Sequence, residues 1–260
     1  MSHEPRIALL IDADNSPADM IDEVLDELAK EGVINIRRAY GNWRSPQLNA
    51  WAGLLHDFAI QPIQQFDYTK GKNATDAAMI IDAMDLLYTK QLDGFGIVSS
   101  DSDFTPLVMR LRANGFKVYG FGEQKTPKPF VNACSKFLYL ENLRRPEDAS
   151  AVAPAEVAAP AATPNDCGAS KIAPARADAK TLRGDTRLVN LLRKAIEAAA
   201  DDEGWAGLGA VGQHISKQAS FDSRNYGYAK LSGLFQAIGL FDVRTHGKVL
   251  QVRDPRAARQ

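Results

Sequence analysis

IALLIDADN, residues 7–15, and GFGIVSSDSDF, residues 94–104, decide the fold. Each is a short apolar run that stops abruptly at acids. Ile7 to Ile11 deliver Asp12, Asp14 and Asn15, and the second run ends in Ser99 and Ser100, then Asp101 and Asp103 at the mouth of a helix through Ala113. Apolar runs of this length bounded by polar residues suit strands buried on both faces. Working outward, similar runs recur at NIRRAY (35–40), IQPIQQF (60–66), KVYGFG (117–122) and FLYLENL (137–143). Between them lie amphipathic stretches: PADMIDEVLDELAKEG (17–32), PQLNAWAGLLHDFA (46–59), TDAAMIIDAMDLLYTK (75–90) and FTPLVMRLRANG (104–115). That alternation predicts an α/β domain over residues 1–145, a mostly parallel sheet covered by helices. Ligands of such sheets bind beyond the carboxyl ends of the strands, so polar residues that follow an apolar run are the candidates for chemistry.

The chain has 260 residues, 45% of them hydrophobic, enough for a sizeable core and a second small domain. Its 31 basic and 32 acidic residues leave a net charge of −1, so no global field draws it to nucleic acid or membrane. The distribution is uneven. Residues 183–260 carry 12 basic against 8 acidic side chains, which makes the C-terminal piece the basic one. Cys134 and Cys167 are the two cysteines, which argues against a disulfide framework or a thiolate zinc site and for a reducing, cytoplasmic setting. MSHEPR lacks the apolar core of a secretion signal, and no apolar run approaches a membrane span, so a cytoplasmic protein without membrane attachment is expected.

Residues 146–182 are rich in alanine and proline and lack aromatic side chains, and are read as a linker. Prolines at 154, 160, 164 and 174 disfavour a continuous helical arm. Beyond it, TRLVNLLRKAIEAAA (186–200), LGAVGQHISKQ (208–218) and YAKLSGLFQAIG (228–239) read as three helices. FDVRTHGKVLQVR (241–253) alternates around His246-Gly247 as a hairpin. Three helices and a hairpin predict a small winged-helix-like domain over 183–260.

Taken singly the acids have bland readings. Asp14, Asn15 or Ser16 could cap the helix near Pro17, and Asp103 could cap the helix that follows it. Asp76 sits in the first turn of the helix in GKNATDAAMIIDAMD (71–85), where the macrodipole favours an acid. Asp85 reads as a solvated face residue and Asp82 as either surface or support. Together, separate segments delivering acids to one end of a sheet create mutual repulsion that a cation relieves. Oxygen-only donors suit Mg²⁺ or Mn²⁺. Such an ion activates water and stabilises charge on a phosphoryl group, with one or two ions bound.

IALLIDADN, GKNATDAAMIIDAMD and SSDSDFTPLVMRLRANGFKVYGFG (99–122) resemble the NYN domain, a branch of the PIN-like nuclease superfamily that includes the LabA-like bacterial proteins. The resemblance spans roughly Arg6 to Leu143. It implies a Rossmann-like, three-layer domain and a metal-dependent ribonuclease site with Asp12, Asp76, Asp101 and Asp103 as catalytic metal ligands. Asn15 and Ser99 would support them. Lys72 could neutralise the scissile phosphate, or be a solvated loop lysine. RNYGYAKLSGLF (224–235), within SFDSRNYGYAKLSGLFQAIGLFDVRTHGKVLQVR, resembles the OST-HTH or LOTUS domain. That family binds RNA, and some animal members dock a DEAD-box helicase. The chain ends at Gln260, short of the extra helix associated with helicase docking, so RNA is the preferred partner and a protein the other.

For RNA the candidates are Arg224, Lys230, Arg244, Lys248 and Arg253, with Tyr226 as a stacking ring. Tyr228 stands at helical spacing from Leu231, Leu234 and Phe235 and is expected to pack. Competing readings are an RNA-binding adaptor with little turnover, and a haloacid-dehalogenase-type phosphatase suggested by Asp12-Ala13-Asp14. The phosphatase pattern fails at Asn15-Ser16-Pro17. Against a dinucleotide-binding dehydrogenase, IDADNSP lacks the glycines that let backbone approach a pyrophosphate.

Overall fold

The computed structural model describes residues 4–66, 74–89, 91–143, 176–201, 203–247 and 249–256. The N-terminal part runs β1 (Arg6–Asp12), α1 (Ile21–Ala29), β2 (Val33–Gly41), α2 (Asn49–Asp57), β3 (Gln61–Gln64), α3 (Ala74–Thr89), β4 (Gly94–Val98), α4 (Thr105–Ala113), β5 (Lys117–Gly122), α5 (Lys128–Ala133) and β6 (Lys136–Tyr139). The strands lie in the order β3-β2-β1-β4-β5-β6, with every neighbouring pair parallel. The Rossmann-like, PIN-like α/β architecture read from the sequence is the observed one.

Period-two alternation builds the three layers. Ile7, Leu9 and Ile11 face one side, against Val24 and Leu28 of α1 and Trp51 of α2. Ala8 and Leu10 face the other, against Met79 and Ala83 of α3 and Val108 and Leu111 of α4. β1 and β4 are therefore buried on both faces, which is why neither shows polar alternation. The strand order reverses between β1 and β4. At that switch point the connections leave in opposite directions and open a crevice beyond the carboxyl ends.

The C-terminal part contains α6 (Ala179–Gly184), α7 (Thr186–Ala199), β7 (Ala206–Gly207), α8 (Leu208–Gln218), α9 (Leu231–Ile238), β8 (Asp242–His246) and β9 (Val249–Arg253). The three strands form an antiparallel sheet, β7-β9-β8, and the hairpin turns at Gly247, whose φ of +62° suits glycine. Leu192 and Ile196 of α7, Val211 and Ile215 of α8, Leu234 and Phe235 of α9 and Val252 of β9 form one core. This is the winged-helix-like arrangement expected.

Two local readings need correction. α6 begins inside the stretch 146–182 taken as linker. An Asp178 cap, accepting from Thr181 N at 2.8 Å, starts it, and the buried Leu182 with Arg183, which donates to Ile238 O at 2.6 Å, binds it to the C-terminal core. α9 starts at Leu231 rather than Tyr228, because Lys230 is extended and the Tyr228 hydroxyl donates to Ala177 O at 2.8 Å. Among the described residues no helix is long and apolar enough to cross a membrane.

Candidate active site

Asp12 is the last residue of β1, completely buried at the switch point. Its carboxylate accepts from Ser99 Oγ at 2.9 Å and from Asn15 Nδ2 at 3.3 and 3.2 Å. Burial pushes its pKa up to about 6. The Ser99 and Asn15 hydrogen bonds pull the other way, and the charges of Asp76 and Asp14 add to the rise. Ser99, one residue past β4, is also fully buried, and its hydroxyl accepts from Asp101 N at 3.1 Å. One hydroxyl thus ties the end of β1 to the loop after β4.

Asp101 caps the 3-10 turn Ser102–Phe104 that leads into α4, accepting from Asp103 N at 2.8 Å. The cap is Asp101, where the sequence reading had offered Asp103. Equally, the turn Ala18–Met20 starts at Pro17 with no side-chain cap, so Asp14, Asn15 and Ser16 do not cap it. Asp14 instead accepts from Thr75 Oγ1 at 2.8 Å and Asn42 N at 3.3 Å, holding the start of α3 and the end of β2 to the β1 loop. Asp76 in the first turn of α3 is 7% exposed. Its pKa is raised by burial first, then by the charges of Asp101, Asp103 and Asp14. Asp12, Asp76, Asp101 and Asp103 therefore share one electrostatic neighbourhood.

They do not form a ready-made cage. Among the described residues, no three carboxylate, imidazole or thiolate side chains are gathered closely enough to hold a metal ion. Asp12 is held by Ser99 and Asn15, and Asp101 is turned onto its own cap. Asp82 lies elsewhere, hydrogen-bonded to Arg38 and Tyr40, and Asp85 is exposed. Lys72 and Lys248 fall outside the described residues.

A cleft of about 670 Å³ opens beside the acids, lined on one side by Asp14, Asn15 and Asp101 and on the other by Glu123 and Lys125. Glu123 N donates to Ser100 Oγ at 2.8 Å, and Glu141 accepts from Gln124 N at 3.0 Å, so this wall is held at both ends. Gly122 lets it approach. A Cβ there would fall 2.6 Å from Ser99 O. Glu123, Lys125 and Thr75 escaped the sequence reading. The signal for Glu123 was available, since it is the first polar residue after KVYGFG.

In the C-terminal part, two of the six expected RNA contacts, Tyr226 and Arg224, are otherwise employed. Tyr226 packs against the core, stacked on Phe221 with centroids 6.0 Å apart, its hydroxyl 3.4 Å from Asp185. Arg224 is held between Asp222 and Glu27 of α1. Lys230 is exposed, and Arg244 lies 3.9 Å over the Trp205 ring, which also carries Arg253 at 4.6 Å.

The NYN domain model matches residues 6–141, and the OST-HTH/LOTUS domain model matches residues 183–252. An uncharacterised protein of the archaeon Methanocaldococcus jannaschii is 32% identical over 130 residues, which cover 46% of this chain and 49% of that one, so the chain spans about half the length of this relative. A crystal structure of a protein of unknown function from Vibrio parahaemolyticus aligns at a TM-score of 0.44 and 20% identity, covering 54% of this chain and 94% of that one. The chain belongs to the NYN domain family, with an OST-HTH/LOTUS domain following the nuclease-like domain.

Proposed function

We propose that the protein is a divalent-metal-dependent ribonuclease of the cytoplasm that hydrolyses RNA phosphodiester bonds at the cleft lined by Asp14, Asn15 and Asp101, beside the buried Asp12. The observation that carries this is a fully buried carboxylate, Asp12, at the switch point of a parallel sheet, with Asp76, Asp101 and Asp103 in its neighbourhood. The donors fit a hard cation in kind, being oxygen throughout. Burial is the main cause of the upward pKa shifts of Asp12 and Asp76, and the repulsion of neighbouring carboxylates adds to it; a cation would offset both.

Asp12, Asp76, Asp101 and Asp103 would hold Mg²⁺ or Mn²⁺. When bound, the ion activates a water and neutralises charge on the phosphate under attack. The chain's own residues orient and exclude. Ser99, from within the core, and Asn15, from the cleft side, fix the direction of the Asp12 carboxylate, and the Asp101 cap fixes the loop that carries Asp103. Lys72 is assigned to the scissile phosphate. Hydrolysis adds water to phosphorus and returns a proton to the departing ribose oxygen. The C-terminal domain would bind the same RNA, raising its local concentration at the cleft.

The test is cleavage of single-stranded RNA with Mg²⁺ or Mn²⁺ by the wild type, Asp12→Asn and Asp101→Asn. Loss of about 10²-fold or more in both variants is expected, as for removal of a group that stabilises a transition state. Activity that survives both substitutions, or persists in EDTA, would sink the metal–aspartate mechanism. RNA binding without turnover by the wild type would leave the adaptor reading, in which the acidic site holds metal but turns over little.

A further inference from the structure

β6 is an edge of the six-stranded sheet, and the edge of a sheet exposes unpaired backbone groups. Here the 3-10 turn Ser223–Tyr226 of the C-terminal domain meets it. Asn225 Nδ2 donates to Phe137 O at 2.9 Å, and Asn225 Oδ1 accepts from Tyr139 N at 3.4 Å. In a parallel ladder, a residue opposite Leu138 would donate to the carbonyl before it and accept from the N–H after it. The Asn225 carboxamide performs both functions with one side chain, in place of a seventh strand.

The charges beside it are arranged to match. Glu27, 6% exposed, lies in the last turn of α1, where the helix dipole disfavours an anion. Arg224 bonds it through both terminal nitrogens, at 2.9 and 2.7 Å, while Asp222 holds the other side of the guanidinium at 2.9 and 3.0 Å. Burial alone would raise the Glu27 carboxyl, but hydrogen bonds and charge from Arg224 and Lys30 outweigh it and bring the pKa to about 2. Asp222 also caps the turn through Arg224 N, so the fork is fixed before it meets its partner. Asn142 Nδ2 reaches Asn225 Oδ1 at 3.4 Å, and a Cβ on Gly227 would fall 2.8 Å from Arg176 Cα. Asn142 and Arg176 therefore both lie beside this turn.

We propose that Asp222–Asn225 is an intramolecular clasp: Asn225 closes the β6 edge by strand mimicry, and Arg224 seats on Glu27, holding the OST-HTH domain against the NYN domain. Its ligand is the chain's own sheet edge, and the proposal stands independently of the nuclease reading. The test uses the full chain without RNA or metal, comparing wild type with Asn225→Asp, which removes the donor at constant size, and Glu27→Lys, which reverses the charge in the other domain. Circular dichroism verifies that each remains folded, and the two variants perturb different domains. Small-angle scattering should give a compact wild type and a larger maximum dimension for both variants. In Asn225→Asp a carboxylate faces the Phe137 carbonyl in place of a donor and pushes the turn off the edge, so amide exchange at Tyr139, whose N–H leaves its acceptor with the turn, should quicken about fivefold. A wild type as extended as the variants, or variants that keep both compactness and Tyr139 protection, would overturn the clasp.

Discussion

At the scale of single residues, Asp12 costs stability for the sake of its position. Its pKa rises from 3.8 to about 6 on folding, a difference on the order of 3 kcal/mol. A carboxyl whose folded pKa lies above its unfolded value binds protons better in the native state, so stability falls as pH rises from about 4 to about 6 and stays reduced above that. Asp12→Asn removes the charge. In EDTA at pH 7.5 the variant should melt above the wild type, offset in part by the lost Asn15 contact, and the gain should shrink towards pH 4. Adding Mg²⁺ should raise the wild-type melting temperature and leave the variant unmoved. Calorimetry across that range, showing no gain at pH 7.5, would remove the buried-charge account. Asp12 was legible in the sequence because the apolar run Ile7–Ile11 stops at it and the same pattern recurs at Ser99–Asp103. The roles of Asp14 and Thr75 were not, because their 2.8 Å bond joins residues 61 positions apart.

Elements divide the structural from the chemical role of Asp101. Its carboxylate caps the turn that starts the approach to α4, and loss of such a cap costs about 1 kcal/mol. Asparagine keeps the acceptor and alanine does not. Urea denaturation should therefore place Asp101→Asn within about 0.5 kcal/mol of the wild type and Asp101→Ala about 1 kcal/mol below it, while RNA cleavage is lost equally in both. Equal activity loss with unequal stability would separate the two functions, and a fully active Asp101→Ala would reduce Asp101 to a cap. The elements themselves were mostly readable. β1 and β4 announce themselves by unbroken apolar runs, and α8 matches its sequence stretch, residues 208–218. α6 was not readable, because one buried leucine in an alanine-rich window has no periodicity to detect. The choice between Asp101 and Asp103 as cap was hidden too, since it depends on which residue keeps extended backbone dihedrals, here Asp101 at φ −86° and ψ 130°.

Across the whole molecule, the order of domains followed from composition and motif, but the use of the C-terminal motif did not. Arg224 and Tyr226 looked like a cation and a ring offered to RNA, yet one pairs with Glu27, 197 positions away, and the other packs within its own domain. Local sequence cannot report a partner that distant. The RNA binding proposed for the C-terminal domain would then draw on other cations, of which Lys230 is exposed and Arg244 lies over Trp205. Each cation that neutralises a phosphate of single-stranded RNA contributes about 0.7 to the slope of log affinity against log salt. Fluorescence anisotropy between roughly 50 and 200 mM salt, a range over which such contacts weaken measurably, should show that slope shrinking by about 0.7 in Lys230→Ala and again in Arg244→Ala. In Arg224→Ala it should stay at the wild-type value. Affinity in Arg224→Ala can still fall, because a released domain no longer holds its RNA beside the cleft, but that loss is one of geometry and leaves the count of displaced counterions alone. A smaller slope in Arg224→Ala would return the guanidinium to the RNA and take it from the domain interface.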